Sequence, residues 1–189
     1  MEITWHGANA LTIKGKNATV KIDPEKLEDA ANDVIIGTSE IEDYRGSKVF
    51  DWPGEYEIKG VPIINIQVFT APKDNEKAEK TIISRFEVDD VKFCHLGNLG
   101  HEIAADLSDK IGDIDVLIVP VEGNLQMKKI QTIIDEIEPR AILPVNYTGL
   151  AAFLKEMSAG EVETVKVYKL NSANQFAEDK REYIVLEKS

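Results

Sequence analysis

The sequence predicts a mixed α/β (α+β) protein: two packed sheets with helices on their outer faces. Three observations predict it. The first half reads as short strands broken by glycine, proline and aspartate turns, the second half alternates apolar strands with amphipathic helices, and no low-complexity stretch or long linker separates the halves. Apolar strands alternating with helices read as a sheet covered by helix. A chain of 189 residues is expected to form one domain, residues 1–189, with a core that needs no staples.

The elements follow in order. Ile3–His6, Ala10–Lys14 and Ala18–Ile22 open the chain as strands, with Gly7, Gly15-Lys16-Asn17 and Asp23-Pro24 as turns. Glu25–Asn32 is polar, with room for one helical turn. Val34-Ile35-Ile36 is short and β-branched, which reads as a buried strand. Lys48–Phe50, Gly54–Ile58 and Val61–Phe69 are further strands, and Ala71–Lys80 is a charged loop. Thr81–Val88 alternates, with Ile82, Ser84, Phe86 and Val88 opposite Ile83, Arg85 and Glu87. Asp89-Asp90 turns tightly into Val91–His95.

Beyond it, Glu102–Ile111 carries apolar residues at helical spacing and Val116–Val121 is an apolar strand. Met127–Ile137 bears Ile130, Ile133, Ile134 and Ile137, the stripe of an amphipathic helix that Pro139 terminates. Ala141–Val145 is a buried strand, Leu150–Met157 a helix, and Val165–Leu170 and Tyr183–Leu186 closing strands. The expected core includes Val20, Ile22, Ile35, Ile64, Ile66, Ile83, Phe93, Ile118 and Ile142.

Composition excludes several function classes. The hydrophobic fraction of 43% and charged fraction of 30% are those of a soluble globular protein. A net charge of -12 repels phosphate backbones and anionic lipid, so neither a nucleic-acid nor a membrane partner is expected. The apolar runs are too short to span a bilayer, and Met1–Gly7 lacks the pattern of a signal peptide. A lone cysteine, Cys94, cannot form an internal disulfide, which fits a cytoplasmic location. No phosphate loop, dinucleotide fingerprint or cysteine metal cluster is present.

A set of motifs carries a family resemblance. Val34-Ile35-Ile36-Gly37-Thr38 leads into Ser39-Glu40-Ile41-Glu42-Asp43-Tyr44, where a buried strand delivers polar side chains at its end. Ile3-Thr4-Trp5-His6-Gly7, Val20-Lys21-Ile22-Asp23-Pro24, Pro53-Gly54-Glu55-Tyr56-Glu57-Ile58, Cys94-His95-Leu96-Gly97-Asn98-Leu99-Gly100, Val119-Pro120-Val121 and Ile142-Leu143-Pro144-Val145-Asn146-Tyr147 follow in order. Together they resemble the metallo-β-lactamase superfamily, in particular a small bacterial branch related to ascorbate-6-phosphate lactonase. The resemblance implies a four-layer αββα sandwich, and a hydrolase whose zinc or manganese is held by histidines and carboxylates.

Carried over residue by residue, the resemblance also shows what this chain lacks. The metal-loop pattern Thr-His-x-His-x-Asp-His keeps Thr38 and Asp43, but its histidine positions hold Ser39, Ile41 and Tyr44. Thr70 and Asn146 stand at two further histidine positions, Asn98 replaces a bridging aspartate, and Ala8 replaces the histidine after the opening glycine. Asp43 alone keeps a ligand-type group. Asparagine and hydroxyl oxygens are neutral donors that compete poorly for zinc. No metal cofactor and no catalytic residue is therefore expected. His95, in the matched Cys-His-Leu-Gly motif, is not a family ligand and is expected to be a hydrogen-bonded structural histidine. A Ser39–His95 nucleophile pair has no recognisable third group or oxyanion turn. His101 is expected to cap or orient the helix after it.

The functional expectation is a catalytically inactive hydrolase homologue that acts through binding or assembly. The alternatives are a metal-dependent hydrolase of the lactonase or phosphodiesterase type with a non-standard site, such as a hard cation like magnesium held by Asp43 and other acids, and a small-molecule binder using the vestigial cleft of Ser39, Ile41, Asp43, Tyr44, Thr70, His95, Asn98 and Asn146. Trp52, at a turn, is a candidate exposed aromatic, and a homo-oligomer is expected.

Overall fold

A computed structural model describes residues 1–25, 33–40, 49–177 and 180–189. The expected turn in Glu25–Asn32, past Glu25 itself, and the site positions Ile41, Asp43 and Tyr44 lie outside the described residues. The first strands are β1 (Glu2–Gly7), β2 (Ala10–Lys14), β3 (Thr19–Ile22), β4 (Asp33–Ile36), β5 (Val49–Phe50), β6 (Gly54–Ile58), β7 (Val61–Phe69), β8 (Lys80–Val88) and β9 (Val91–His95). There follow α1 (Ala105–Ile111), β10 (Val116–Pro120), α2 (Met127–Ile137), β11 (Ala141–Val145), α3 (Ala151–Glu156), β12 (Thr164–Val165), β13 (Tyr168–Lys169), β14 (Glu182–Tyr183) and β15 (Val185–Leu186).

Two large sheets result. The first runs β13-β1-β2-β3-β4-β5 and the second β14-β11-β10-β9-β8-β7-β6, while β12 and β15 pair separately. Local turn chemistry sets much of this order. Asp89 and Asp90 take left-handed conformations, φ 50° and 63°, which close β8 and β9 into a two-residue hairpin. Such a turn matches the twist of its strands, and aspartate tolerates the conformation better than most residues. The helices α1 and α2 serve as the crossovers that let β9, β10 and β11 run parallel. Helix α2 ends at Glu138, itself left-handed at φ 50°, just before Pro139.

The core has two parts. Ile3, Trp5, Ile13, Val20, Ile22, Val34 and Ile36 of the first sheet meet Val61, Ile63, Phe86, Phe93 and Ile118 of the second. On the opposite face of the second sheet, Ile83, Cys94, Leu117, Val119 and Ile142 pack under Leu107, Ile111, Ile130, Ile133, Ile134 and Phe153 of the helices. This is the predicted mixed architecture, and among the described residues the helices cover the second sheet.

The structure corrects some details. Val20, Ile22, Ile35, Ile83, Phe93, Ile118 and Ile142 are buried, but Ile64 and Ile66 are only half-buried. In β7 the alternate residues Val61 and Ile63 fill the space between sheets, so Ile64 and Ile66 fall on the outer face, near the edge strand β6. The first helix begins at Ala105, with Ala104 at its N-cap, so His101 does not cap it; the His101 ring contacts the Glu102 carbonyl at 2.8 Å. The two closing stretches each break into a pair of two-residue strands that join different sheets.

Candidate functional site

The strand ends that carry the matched motifs are laced together by polar side chains. After β3, Asp23 takes φ 40° and turns its carboxylate to the end of β4. There it accepts hydrogen bonds from the Thr38 main-chain N–H at 2.7 Å and the Thr38 hydroxyl at 2.5 Å. Burial pushes the Asp23 carboxyl above the usual range, while these two bonds and one from the Asn9 side chain draw it back. The Thr38 carbonyl accepts from the Thr81 hydroxyl and the Ile82 N–H, both at 2.8 Å, which ties the end of β4 to β8 across the two sheets. Thr81 in turn accepts from the Asn98 N–H at 3.0 Å.

Asn98 sits in the loop after β9, and its Oδ1 accepts from Asn9 Nδ2 at 3.1 Å. The same β1–β2 turn holds the end of β11, since the Asn146 N–H donates to the Ala8 carbonyl at 2.8 Å. Asn146 is left-handed, φ 51°, and its side-chain amide donates to the Glu122 carbonyl at 3.3 Å. The Glu122 carboxylate accepts from the main-chain N–H and the hydroxyl of Thr148, each at 2.8 Å, and these bonds lower its pKa.

His95 is fully buried, and its Nδ1 accepts from the Gly97 N–H at 2.9 Å. The proton of the neutral ring therefore sits on Nε2, which has no partner within hydrogen-bonding geometry. Burial drives the imidazole pKa from 6.5 down to about 3, against an opposing effect of the Asn9 main chain. A ring whose accepting nitrogen is occupied, and which resists protonation this strongly, is no general base for Ser39. Ser39 itself is exposed and borders a cavity with Trp52, Gln67 and Thr81.

Thr70 is half-buried at the end of β7, with its hydroxyl accepting from the Glu79 N–H at 3.0 Å. Its main chain presses on the end of the Asn98 loop. Gly100 is required there, because a Cβ at that position would overlap the Thr70 carbonyl.

Asn98 and Asn146 thus meet the same β1–β2 turn, Ser39 follows the Thr38 that anchors the network, and Thr70 abuts the Asn98 loop with its hydroxyl engaged elsewhere. Sequence reasoning missed Asn9, Asp23, Thr81 and Glu122 as parts of this arrangement. The sequence did carry one signal for Asn9 and Asp23: each is polar and lies within two residues of a strand end.

The described members of this donor set do not fit a zinc or manganese ion. Among the described residues no group of three or more histidine, cysteine, aspartate and glutamate side chains could hold a metal. The Asn98 oxygen and the Thr70 hydroxyl already accept protein hydrogen bonds. A catalytic zinc site needs about three protein ligands of higher charge or basicity.

The beta-lactamase superfamily domain matches residues 2–146 of the chain. The chain belongs to that superfamily. Solved structures share the superfamily fold along nearly all of its length. A candidate zinc-dependent hydrolase of the metallo-β-lactamase superfamily from Thermotoga maritima is 26% identical, with TM-score 0.79 over 98% of this chain and 97% of that one. Igni18, a metallo hydrolase from Ignicoccus hospitalis, is 14% identical, with TM-score 0.63 over 90% and 99%. The metallo-β-lactamase fold protein YhfI from Bacillus subtilis is 9% identical, with TM-score 0.59 over 100% and 97%. At those two identities the likeness concerns the fold alone. No curated protein matches the sequence.

Proposed function

We propose that this beta-lactamase-superfamily protein acts by binding, and that its metal centre has been converted into a neutral polar network. The observation that carries this reading is Asn98. At the position where the resemblance places a bridging aspartate, it offers a neutral amide whose oxygen accepts from Asn9. An anionic ligand cluster without its cation would repel itself, whereas amides and hydroxyls satisfy one another. Unpaired buried groups would cost about 1–3 kcal/mol each.

The test is metal content after equilibration with zinc or manganese, together with turnover of lactone and phosphodiester substrates. We expect substoichiometric metal and no turnover above buffer. Asn146→His alone should restore neither, because the other ligand positions remain neutral. Stoichiometric zinc of micromolar or tighter affinity would overturn the reading. The similarity to the Thermotoga maritima protein favours a second reading, a hydrolase with a non-standard site, and turnover that depends on added metal would select it.

The partner in this reading is a small molecule or a second copy of the chain. Trp52, 63% exposed, is a large apolar side chain left on the surface. A two-fold dimer is the simplest assembly, expected as twice the monomer mass in light scattering at high micromolar concentration. A monomer under those conditions would remove the dimer.

A further inference from the structure

The helical face of the second sheet is not covered out to its edge. Strand β6 pairs with β7 only as far as Gly54 opposite Asn65, while β7 runs on to Phe69. Helix α1 is the element beside that stretch, and it has seven residues against nine in β7. Seven helical residues rise about 10 Å and nine strand residues about 30 Å, so α1 is too short to shield the strand. Val68 of β7 and Leu107 of α1 are buried in one apolar cluster, with Ile66 packed half-buried against it. Between the two elements these three side chains line a cavity of about 460 Å³. That volume falls within the roughly 300–1,000 Å³ of pockets for small ligands.

The charges around this apolar floor are unequal. Lys110, in the last turn of α1, and Lys73, in the loop after β7, both line the cavity and are exposed. Among the described residues, neither has a carboxylate within ion-pair distance. Two carboxylates share the lining, Glu102 and Asp106. Glu102 is held at 3.7 Å by Lys129, which is not part of the lining, so its charge is answered elsewhere. Asp106, one turn before Lys110, is then the carboxylate that opposes two ammonium groups. His101, the remaining titratable side chain of the lining, adds no negative charge. One anionic group on a ligand would bring the rim to balance. The net charge of -12 on the chain acts against an anion at long range. Salt screens that field beyond about 8 Å at physiological ionic strength, so the groups at the rim decide for a bound ligand.

We propose that this cavity binds a small amphiphilic monocarboxylate, with its apolar body on Ile66, Val68 and Leu107 and its carboxylate at the Lys73 and Lys110 ammonium groups. The site is separate from the polar network described above and shares no lining residue with it. It stands whether or not the converted centre holds metal.

The test is calorimetric titration of the full chain with octanoate, octanol and octylammonium, which share one apolar body and differ in charge. We expect octanoate to saturate in the millimolar range, octanol to bind more weakly, and octylammonium most weakly. Lys110→Gln and Lys73→Gln should each narrow the preference for octanoate over octanol about twofold to fivefold, and Lys110→Glu should shift preference toward octylammonium. Ala104→Trp locates the site. Ala104 lines the cavity, is exposed and caps α1 without a side-chain hydrogen bond, so an indole there fills the cavity and leaves the fold intact. That variant should keep the wild-type denaturation midpoint and lose octanoate binding. No saturable binding of octanoate, binding no tighter than that of octanol, a preference unmoved by Lys110→Glu, or undiminished binding by folded Ala104→Trp would each overturn the proposal.

Discussion

Replacement of His95 by glutamine is expected to flatten the acid side of the protein's stability profile. The folded-state pKa of His95 is depressed from 6.5 to about 3 because the ring is wholly buried. In the unfolded chain it takes up a proton near 6.5; in the folded protein it stays neutral until about pH 3. Between those values the unfolded state binds one more proton, so stability falls as pH falls, by about 1.4 kcal/mol per unit. The full window amounts to about 4–5 kcal/mol, an upper figure for a group this buried. The contribution is fully present above pH 6.5 and is lost progressively below it.

Asp23 works in the opposite direction. Its folded-state pKa is raised from 3.8 by burial, so its contribution is full below 3.8 and is lost as pH rises through the folded value. Asp23→Asn should therefore make the acid loss steeper. Denaturant melts at pH 7 and pH 4 measure both effects. Glutamine costs some packing at either pH, so the quantity to compare is the change between the two pH values. Equal changes in wild type and His95→Gln would show that His95 does not govern the acid limb.

Much of the fold was legible because its signals are local. The Ile130, Ile133, Ile134 and Ile137 spacing defines α2 within its own residues, and Asp89-Asp90 defines the β8–β9 hairpin without help from elsewhere. What the sequence left open depended on distant partners. Whether Ile64 or Ile63 faces the inter-sheet core is set by which face of β7 meets the first sheet, and alternation alone supplies two equivalent answers.

The same applies to the site. The motif order placed Asn98 and Asn146 at matched positions, but the bonds that define their chemistry cross the chain: Asn9 to Asn98 spans 89 residues and Thr81 to Thr38 spans 43. Asparagine at a strand end is common enough to pass as turn chemistry. Only the fold makes Asn9 the partner of Asn98.

Asn65→Leu is expected to destabilise the protein by about 2–5 kcal/mol while keeping the branching of the side chain and its number of heavy atoms. Asn65 is buried, 3% exposed, in the middle of β7, where alternation alone would call for an apolar residue. It holds three groups at once. Its amide nitrogen donates to the Phe50 and Trp52 carbonyls, and its Oδ1 accepts from the Ser84 hydroxyl at 2.8 Å. Leucine removes every one of these bonds. Ser84 is wholly buried and would keep a hydroxyl without this acceptor, and the Phe50 carbonyl would lose this donor. The Trp52 carbonyl keeps its bond from Tyr56 and the Phe50 carbonyl its bond from the Gly37 N–H at 3.1 Å, so the loss at both is partial. The Ser84 hydroxyl left unsatisfied costs about 1–3 kcal/mol and each lost carbonyl bond about 0.5–1 kcal/mol, which gives the range stated. Because the penalty comes from orphaned partners rather than from lost attraction, Asn65→Leu with Ser84→Ala should be less destabilised than the sum of the two single variants. Chemical denaturation of the two single variants and the double variant measures the coupling. A cost for Asn65→Leu below about 1 kcal/mol, or strict additivity with Ser84→Ala, would show that the carbonyls and the hydroxyl find other partners and that Asn65 is not the clamp between the sheets.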